Sequence, residues 1–363
     1  MGQNRLIQVI KNLYSEVKLN DRLTEWFDIE IGLRQGCVLS PLLFLIFIND
    51  LIKELKASGL GITIGAMRGI YLADDIALLA DNKANLQRLI KITENYARRW
   101  RFLFNTKKSK VLIFNGKRTK PDIFLDGECL EVVNEYKYLG VWFDSKLNWK
   151  LHKETILRKA KKRAYIMMGF GIYKLLPAST CVRLWEVLVR PILEYAGEVW
   201  GEGPWEEAEK LQREIGRLIL GVPTQTPNEM VLGDLGWWEL KARRDKARLK
   251  LLKKLSELDE GEYARELVND KLSIWRVYSD KILHSLKLSK IEYKMKDQRG
   301  WKATITDRMQ NHVESQWRGN IKRKTKLRTY VTIKDKLQLE PYLAGISLAR
   351  LRGLPENRDG EIR

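Results

Sequence analysis

Cysteine and histidine are scarce in this chain. Its 363 residues hold three of each. Cys37, Cys129, Cys181, His152, His284 and His312 are scattered, and no C-x-x-C pair occurs. That excludes the local spacing of a zinc finger and a disulfide framework. The thiols are expected to be reduced and mostly buried. Long apolar runs are missing too, since polar residues break every run well before it could span a bilayer. A signal-peptide core is absent from residues 1–20, where Asn4, Arg5, Lys11, Asn12 and Glu16 interrupt any apolar stretch. An intracellular protein without a membrane helix is expected.

Negative charge is the other shortage. Lys and Arg number 66 against 46 Asp and Glu, a net charge of +20 with a pI of about 9.7. Residues 241–363 carry 31 cations and 17 anions, so most of the excess lies there. A polyanionic partner accounts for such an excess, and nucleic acid is the commonest. Plain solubility accounts for it equally well. Apolar residues make up 44% of the sequence, enough for real cores, so wholesale disorder is not expected.

Periodicity predicts helices over 4–18, 42–56, 84–101 and 239–256. Strands are predicted at 26–31, at 62–64 and 70–79 (a hairpin whose second run contains Asp74-Asp75), at 110–115, and at 123–125 and 135–143. The last two are joined through Asp126-Gly127-Glu128, a hairpin signal. From Trp149 to about Leu220 the pattern is helical, with basic and aromatic residues interleaved. Strands and helices followed by helices alone imply an α+β fold with a helical C-terminal part.

Two stretches carry chemistry. In Tyr71-Leu72-Ala73-Asp74-Asp75-Ile76-Ala77-Leu78 two carboxylates sit between apolar segments, a costly place unless a cation compensates. Magnesium takes oxygen ligands and bridges carboxylates to phosphates. Neighbouring strand residues face opposite ways, so Asp74 is assigned as the stronger ligand and Asp75 as its support. An Asp-Asp pair alone would also suit a turn or cap. Upstream, Gly32-Leu33-Arg34-Gln35-Gly36-Cys37-Val38-Leu39-Ser40-Pro41 combines glycines that admit close backbone approach with the donors Arg34 and Gln35 and a helix start.

Together these blocks resemble reverse transcriptases of non-LTR (LINE-type) retrotransposons. The loop resembles their R-Q-G-x-x-x-S-P block, and Leu72-Ala73-Asp74-Asp75 their x-A-D-D box. Leu103-Phe104-Asn105-Thr106-Lys107-Lys108-Ser109-Lys110 is similar to the next palm motif. Tyr136-Lys137-Tyr138-Leu139-Gly140-Val141 resembles the primer-gripping strand pair. Arg190-Pro191-Ile192-Leu193-Glu194-Tyr195-Ala196 and Val199-Trp200-Gly201 resemble the thumb. The resemblance implies a partial reverse-transcriptase palm, an antiparallel sheet with helices, over 1–145. A thumb-like helical domain over 146–238 and a basic helical region over 239–363 follow. It implies RNA-directed DNA polymerisation by two-metal nucleotidyl transfer, with Mg2+ as cofactor and with an RNA template, a DNA primer and deoxynucleoside triphosphates as partners.

Carried over by position, Asp74 and Asp75 are the metal-site carboxylates and Lys108 assists the leaving pyrophosphate. Arg34, Gln35, Gly36, Ser40 and Pro41 line the nucleotide and template pocket, and Leu139 and Gly140 lie against the primer. Nucleic-acid contacts are expected from Lys161, Lys162 and Arg163, from Arg243 and Arg244, and from Lys322, Arg323 and Lys324. Trp149, Trp185 and Trp200 are expected in the core rather than as stacking platforms.

The sequence departs from the family in two ways. The D-x-x-x-A-F-D-like block that supplies a further metal-binding aspartate does not precede Gly32, so the chain is expected to begin inside the palm and to be inactive by itself. Leu72 stands where an aromatic residue is common. Thr325-Lys326-Leu327-Arg328-Thr329-Tyr330 and Leu339-Glu340-Pro341-Tyr342-Leu343 resemble segments that precede a Cys/His knuckle in related elements. The competing reading is a non-catalytic RNA- or DNA-binding remnant of a degenerate element that uses the thumb and the basic region.

Overall fold

The computed structural model describes residues 18–19, 22–23, 37–60, 69–72, 75–114, 121–169, 176–259, 263–271, 273–289, 293 and 297–343. They fall into two compact units, one within 1–109 and 121–131, the other within 110–120 and 132–363. The expected helix over 4–18 (apart from Lys18), the strand over 26–31 and the arm 62–64 lie outside the described residues. Helices dominate, and every sheet among the described residues is a two-stranded ribbon. That is a mixed α+β architecture. No described helix is long and apolar enough to cross a membrane.

In the first unit, β1 (Lys18–Leu19) and β2 (Arg22–Leu23) form a short antiparallel ribbon. Helix α1 (Ser40–Ala57) starts on Pro41, whose missing N–H is not needed in a first turn. Helix α2 (Lys83–Arg99) is capped by Asn82, whose side chain accepts from the Asn85 N–H at 2.8 Å. The two helices close a core of Ile48, Leu51, Leu55, Leu89 and Tyr96, with Phe47 and Phe102 packed against it. The Tyr96 hydroxyl donates to the Phe47 carbonyl, and Arg99 pairs with Glu54 at 2.6 Å. Helix α1 is strongly apolar on most sides, but only one face is buried. Leu42, Leu45 and Ile46 are exposed, because α2 covers only the stripe that carries Ile48, Leu51 and Leu55.

β3 (Gly69–Leu72) pairs with β4 (Asp75–Leu78) in antiparallel register. The expected single run over 70–79 is therefore itself a tight hairpin. A further ribbon, β6 (Phe124–Leu125) with β7 (Glu128–Cys129), turns at Asp126 (φ 48°) and Gly127 (φ 83°). Two consecutive positive φ values are what a two-residue hairpin loop demands. This ribbon is docked on α2. Gln87 exchanges two 2.8 Å hydrogen bonds with the Phe124 backbone, and the Glu94 carboxylate accepts from the Asp126 N–H at 2.7 Å. Burial pushes Glu94 up, but hydrogen bonds from Lys91 and Asp126 outweigh it and hold the carboxyl below its ordinary range.

In the second unit β5 (Lys110–Leu112) pairs with β8 (Glu131–Val133). The strand expected over 135–143 is instead a hairpin, β9 (Glu135–Tyr138) and β10 (Val141–Asp144). Leu139 (φ 48°) and Gly140 (φ 83°) break it, both left-handed. Asp126-Gly127 is the hairpin turn that the sequence signals, but it joins β6 to β7 and not to the 135–143 segment.

Helices then follow: α3 (Lys150–Gly169), α4 (Ala178–Leu184), a π-turn over Trp185–Val189, α5 (Arg190–Glu194), α6 (Gly197–Trp200), α7 (Glu206–Leu220) and α8 (Asn228–Leu235). Their core includes Trp185, Val189, Leu193, Trp200, Leu211, Ile215 and Trp237. Trp185 stacks on Trp237 with centroids 5.4 Å apart. Both Trp185 and Trp200 are fully buried, so core packing is their role. Helix α9 (Leu240–Ser256) leaves this core through Leu240 and enters a second one through Leu249 and Leu252. The second core is shared with α10 (Tyr263–Asn269), α11 (Ile274–Ser285) and α12 (Gln298–Arg323).

The C-terminal described segment folds back onto α8. Helix α13 (Arg328–Ile333) brings the Tyr330 hydroxyl to Asp234 Oδ1 at 2.7 Å, and the Tyr342 hydroxyl reaches Oδ2 at 2.9 Å. The Glu340 N–H donates to the Asp234 carbonyl at 2.9 Å. Gly236, at φ 65°, ends α8 where a Cβ would run into the Leu339 backbone. The segments around Tyr330 and Tyr342 thus share one buried carboxylate. Asp234→Ala should strand both hydroxyls and destabilise the second unit by about 2–4 kcal/mol, and Tyr330→Phe by about half that. Urea unfolding followed by tryptophan fluorescence checks this. Equal midpoints for Asp234→Ala and the parent would contradict it.

Candidate functional site

The register of the β3–β4 hairpin pairs Leu72, where β3 ends, with Asp75, where β4 begins. Asp75 is exposed at the first position of β4. Asp74, Arg34, Gln35 and Gly36 lie outside the described residues. Ser40 and Pro41 open α1, with the Ser40 N–H donating to the Cys37 carbonyl at 3.2 Å. Lys108 is exposed in a turn organised by Asn105. Its N–H donates both to Asn105 Oδ1 (3.0 Å) and to the Asn105 carbonyl (3.1 Å). Among the described residues no cluster of three or more His, Cys, Asp and Glu side chains could hold a metal ion. Asp75 by itself does not make a magnesium site, which needs several oxygen ligands.

The β9–β10 hairpin is held at two points inside the second unit. The Trp142 N–H donates to His152 Nδ1 at 3.3 Å, and the Leu139 carbonyl accepts from the Tyr195 hydroxyl at 2.8 Å. His152 is fully buried on α3, with its ring edge-on to Trp200 at 5.0 Å. As an acceptor at Nδ1 the imidazole is neutral. Burial, followed by the charge of Lys159, pushes its pKa down to about 4. Sequence alone does not single out His152 or Tyr195. A lone histidine on an apolar helix face reads as core, while Tyr195 stands inside a quoted motif without a visible partner.

The basic residues divide into surface and interior. Lys161, Lys162 and Arg163 are exposed on α3, beside exposed Arg158 and Lys159. Lys322, Arg323 and Lys324 are exposed where α12 ends, with Lys324 paired to Glu229 at 2.7 Å. On α9 the arrangement differs. Arg243 is half-buried and ion-paired to Glu194. Arg244 is only 2% exposed and lies over the Trp205 ring. Arg248, fully buried, donates to Glu202 (3.3 Å) and to the Val199 carbonyl (3.2 Å) between the rings of Trp275 and Tyr278. Burial pulls both guanidinium groups below their ordinary range, and Glu209 and Glu202 oppose that pull. The structure brings together Leu139 with Gly140, and Lys161 with Lys162 and Arg163, but it leaves Arg244 no open surface.

Residues 3–143 match the family described as Reverse transcriptase (RNA-dependent DNA polymerase). Over that segment the chain is similar to reverse transcriptases. Three relatives extend the likeness. The RNA-directed DNA polymerase from mobile element jockey of Drosophila funebris is 30% identical over 206 residues, covering 54% of this chain and 22% of that protein. The probable RNA-directed DNA polymerase from transposon X-element of Drosophila melanogaster is 24% identical over 232 residues, 60% of this chain and 25% of its own length. A retrovirus-related Pol polyprotein from type-1 retrotransposable element R2 of Popillia japonica is 27% identical over 155 residues, 39% of this chain and 26% of its own. The chain thus spans about a quarter of the length of these curated relatives. These likenesses agree with the resemblance of its motifs to non-LTR retrotransposon reverse transcriptases.

His152 gives a pH test of the helical part that follows residue 143. Its folded-state pKa lies below the ordinary 6.5. The neutral ring is the form the fold holds, so its contribution is complete above pH 6.5 and is lost as pH falls toward 4. The loss amounts to at most about 3 kcal/mol. Urea midpoints of the parent should fall over that window. His152→Gln, less stable at neutral pH, should show a flatter profile there. Parallel profiles would refute the assignment.

Proposed function

We propose that this chain supplies palm and thumb elements of a non-LTR retrotransposon reverse transcriptase, and that its task is to hold an RNA template and a DNA primer. Reverse transcriptases work on an RNA template with nucleotide substrates and use divalent metal ions. Residues 1–145 take the part of the palm, 146–238 of the thumb and 239–363 of a basic helical region. The observation that carries this reading is the pair of tight hairpins found where the family's motifs stand, one at Leu72–Asp75 and one at Leu139-Gly140.

In this reading Asp74 and Asp75 are the carboxylates for magnesium, which when bound supplies charge neutralisation at the transferred phosphoryl group. Arg34, Gln35, Gly36, Ser40 and Pro41 face nucleotide and template. Lys108, on a turn braced by Asn105, meets the leaving pyrophosphate. Leu139 and Gly140 lie against the primer. Each of these roles is open to test by substitution.

The exposed clusters on α3 and at the end of α12 support phosphate binding on their own, whether or not the chain catalyses. Such contacts give affinity without reading bases and release counterions. Arg244 and Arg248, enclosed by protein, contribute to the fold instead. A titration of an RNA–DNA primer–template duplex at several salt concentrations tests this. Affinity should fall steeply with salt. Reversing Lys161, Lys162 and Arg163 to glutamate should lower the slope by about one for each phosphate that is no longer neutralised, without change in the unfolding midpoint. The same holds for Lys322 and Arg323. A folded protein that fails to bind at low salt would overturn the proposal.

A further inference from the structure

The turn at Leu139-Gly140 is strained and yet held. Leu139 sits at φ 48°, a region that a leucine side chain disfavours and that persists only where surroundings over-determine it. Those surroundings are specific. The Tyr195 hydroxyl donates to the Leu139 carbonyl at 2.8 Å. Its ring lies flush on the next residue, so that a Cβ at Gly140 would stand 3.0 Å from Tyr195 Cε1.

Tyr195 is fixed in turn. Its own carbonyl accepts from the Trp200 indole N–H at 2.8 Å. Glu194, one residue before it, is paired with both Arg190 and Arg243. Ala196, one residue after it, turns the chain into α6 at φ 52°. The Trp200 ring meets His152, and His152 accepts from the Trp142 N–H in β10. The contacts close a circuit: Leu139, Tyr195, Trp200, His152, Trp142 and back along β10. A hairpin gripped at its turn and again on one strand has little freedom to rock about its ends. Tyr195 itself remains 54% exposed, so hydrophobic burial alone does not explain its place.

We infer that Tyr195 is a positioning residue which latches the Leu139-Gly140 turn to the corner between α5 and α6 and so sets where the hairpin meets the primer. The latch lies wholly within the second unit. Its bearing on the primer rests on the function proposed above.

Tyr195→Phe removes the hydroxyl and keeps the ring, so it separates the latch from packing. In the purified chain, hydrogen–deuterium exchange of peptides covering 135–144 should quicken about fivefold. Exchange in α7, α9 and α12 should hold at the parent rate, which a general loss of stability would not allow. A second readout places a photo-cross-linker at exposed Lys137 and uses an RNA–DNA primer–template duplex with labelled primer. Cross-linking to the primer terminus should drop several-fold in Tyr195→Phe at unchanged duplex affinity. Unaltered hairpin exchange would overturn the latch. Quickened exchange with unaltered cross-linking would overturn its positioning role. A parent protein that binds duplex but never cross-links the primer would overturn the primer assignment, while the exchange result still decides the latch.

Discussion

Helix α9 carries eight Lys and Arg residues in seventeen, and the second unit depends on where it puts them. Burying a guanidinium is costly unless its donors find acceptors and its faces find rings. Both terminal nitrogens of Arg248 find acceptors, in Glu202 and in the Val199 and Trp275 carbonyls, and its faces meet the rings of Trp275 and Tyr278. Lys253 donates to the Tyr293 carbonyl at 2.9 Å and pairs with Glu257 at 3.0 Å. The start of the helix is capped from outside. Glu209 of α7 accepts from the N–H groups of Leu240 and Lys241 at 3.0 and 2.8 Å. A negative charge at a helix N-terminus is favourable. These contacts fasten α9 across two cores, and removing Glu202 would leave the buried Arg248 guanidinium without its carboxylate partner.

That interior use of charge explains what sequence could and could not disclose. Helices at 42–56, 84–101 and 239–256 were legible because each shows a period near 3.6 and a start or stop signal. The box at Asp74-Asp75 and the turn at Leu139-Gly140 were legible as motifs. Their geometry was less so, because a run of β-forming residues reads the same whether it is one strand or two. Only the left-handed pair at Leu139-Gly140 splits the 135–143 run. Composition gave the wrong picture of α9: charge counts cannot distinguish a solvated lysine from an arginine sandwiched between aromatic rings. Asp234 was invisible for a different reason, since its partners Tyr330 and Tyr342 lie about a hundred residues away in sequence.

The second unit therefore has two kinds of polar device. Some hold the protein together: Glu209 on α9, Asp234 on its two tyrosines, Arg248 among its acceptors. Others stand outward: Lys161, Lys162 and Arg163 on α3, Lys322 and Arg323 at the end of α12. The β9–β10 hairpin is gripped by His152 and Tyr195, with Lys137 and Gly140 left exposed. A rigid support beneath an exposed turn suits a surface that must meet a ligand at a fixed height. Under the function proposed above, a nucleic-acid duplex is the ligand that such a support and such charges would serve together.

An experimental structure of this chain bound to an RNA–DNA primer–template duplex tests that claim most directly. Backbone phosphates should lie within hydrogen-bonding distance of the exposed lysines and arginine of α3, with the Leu139-Gly140 turn facing the primer strand. Arg244 and Arg248 should keep the protein partners they have here. A duplex bound elsewhere, or one that draws those two arginines out of the core to reach phosphate, would contradict it.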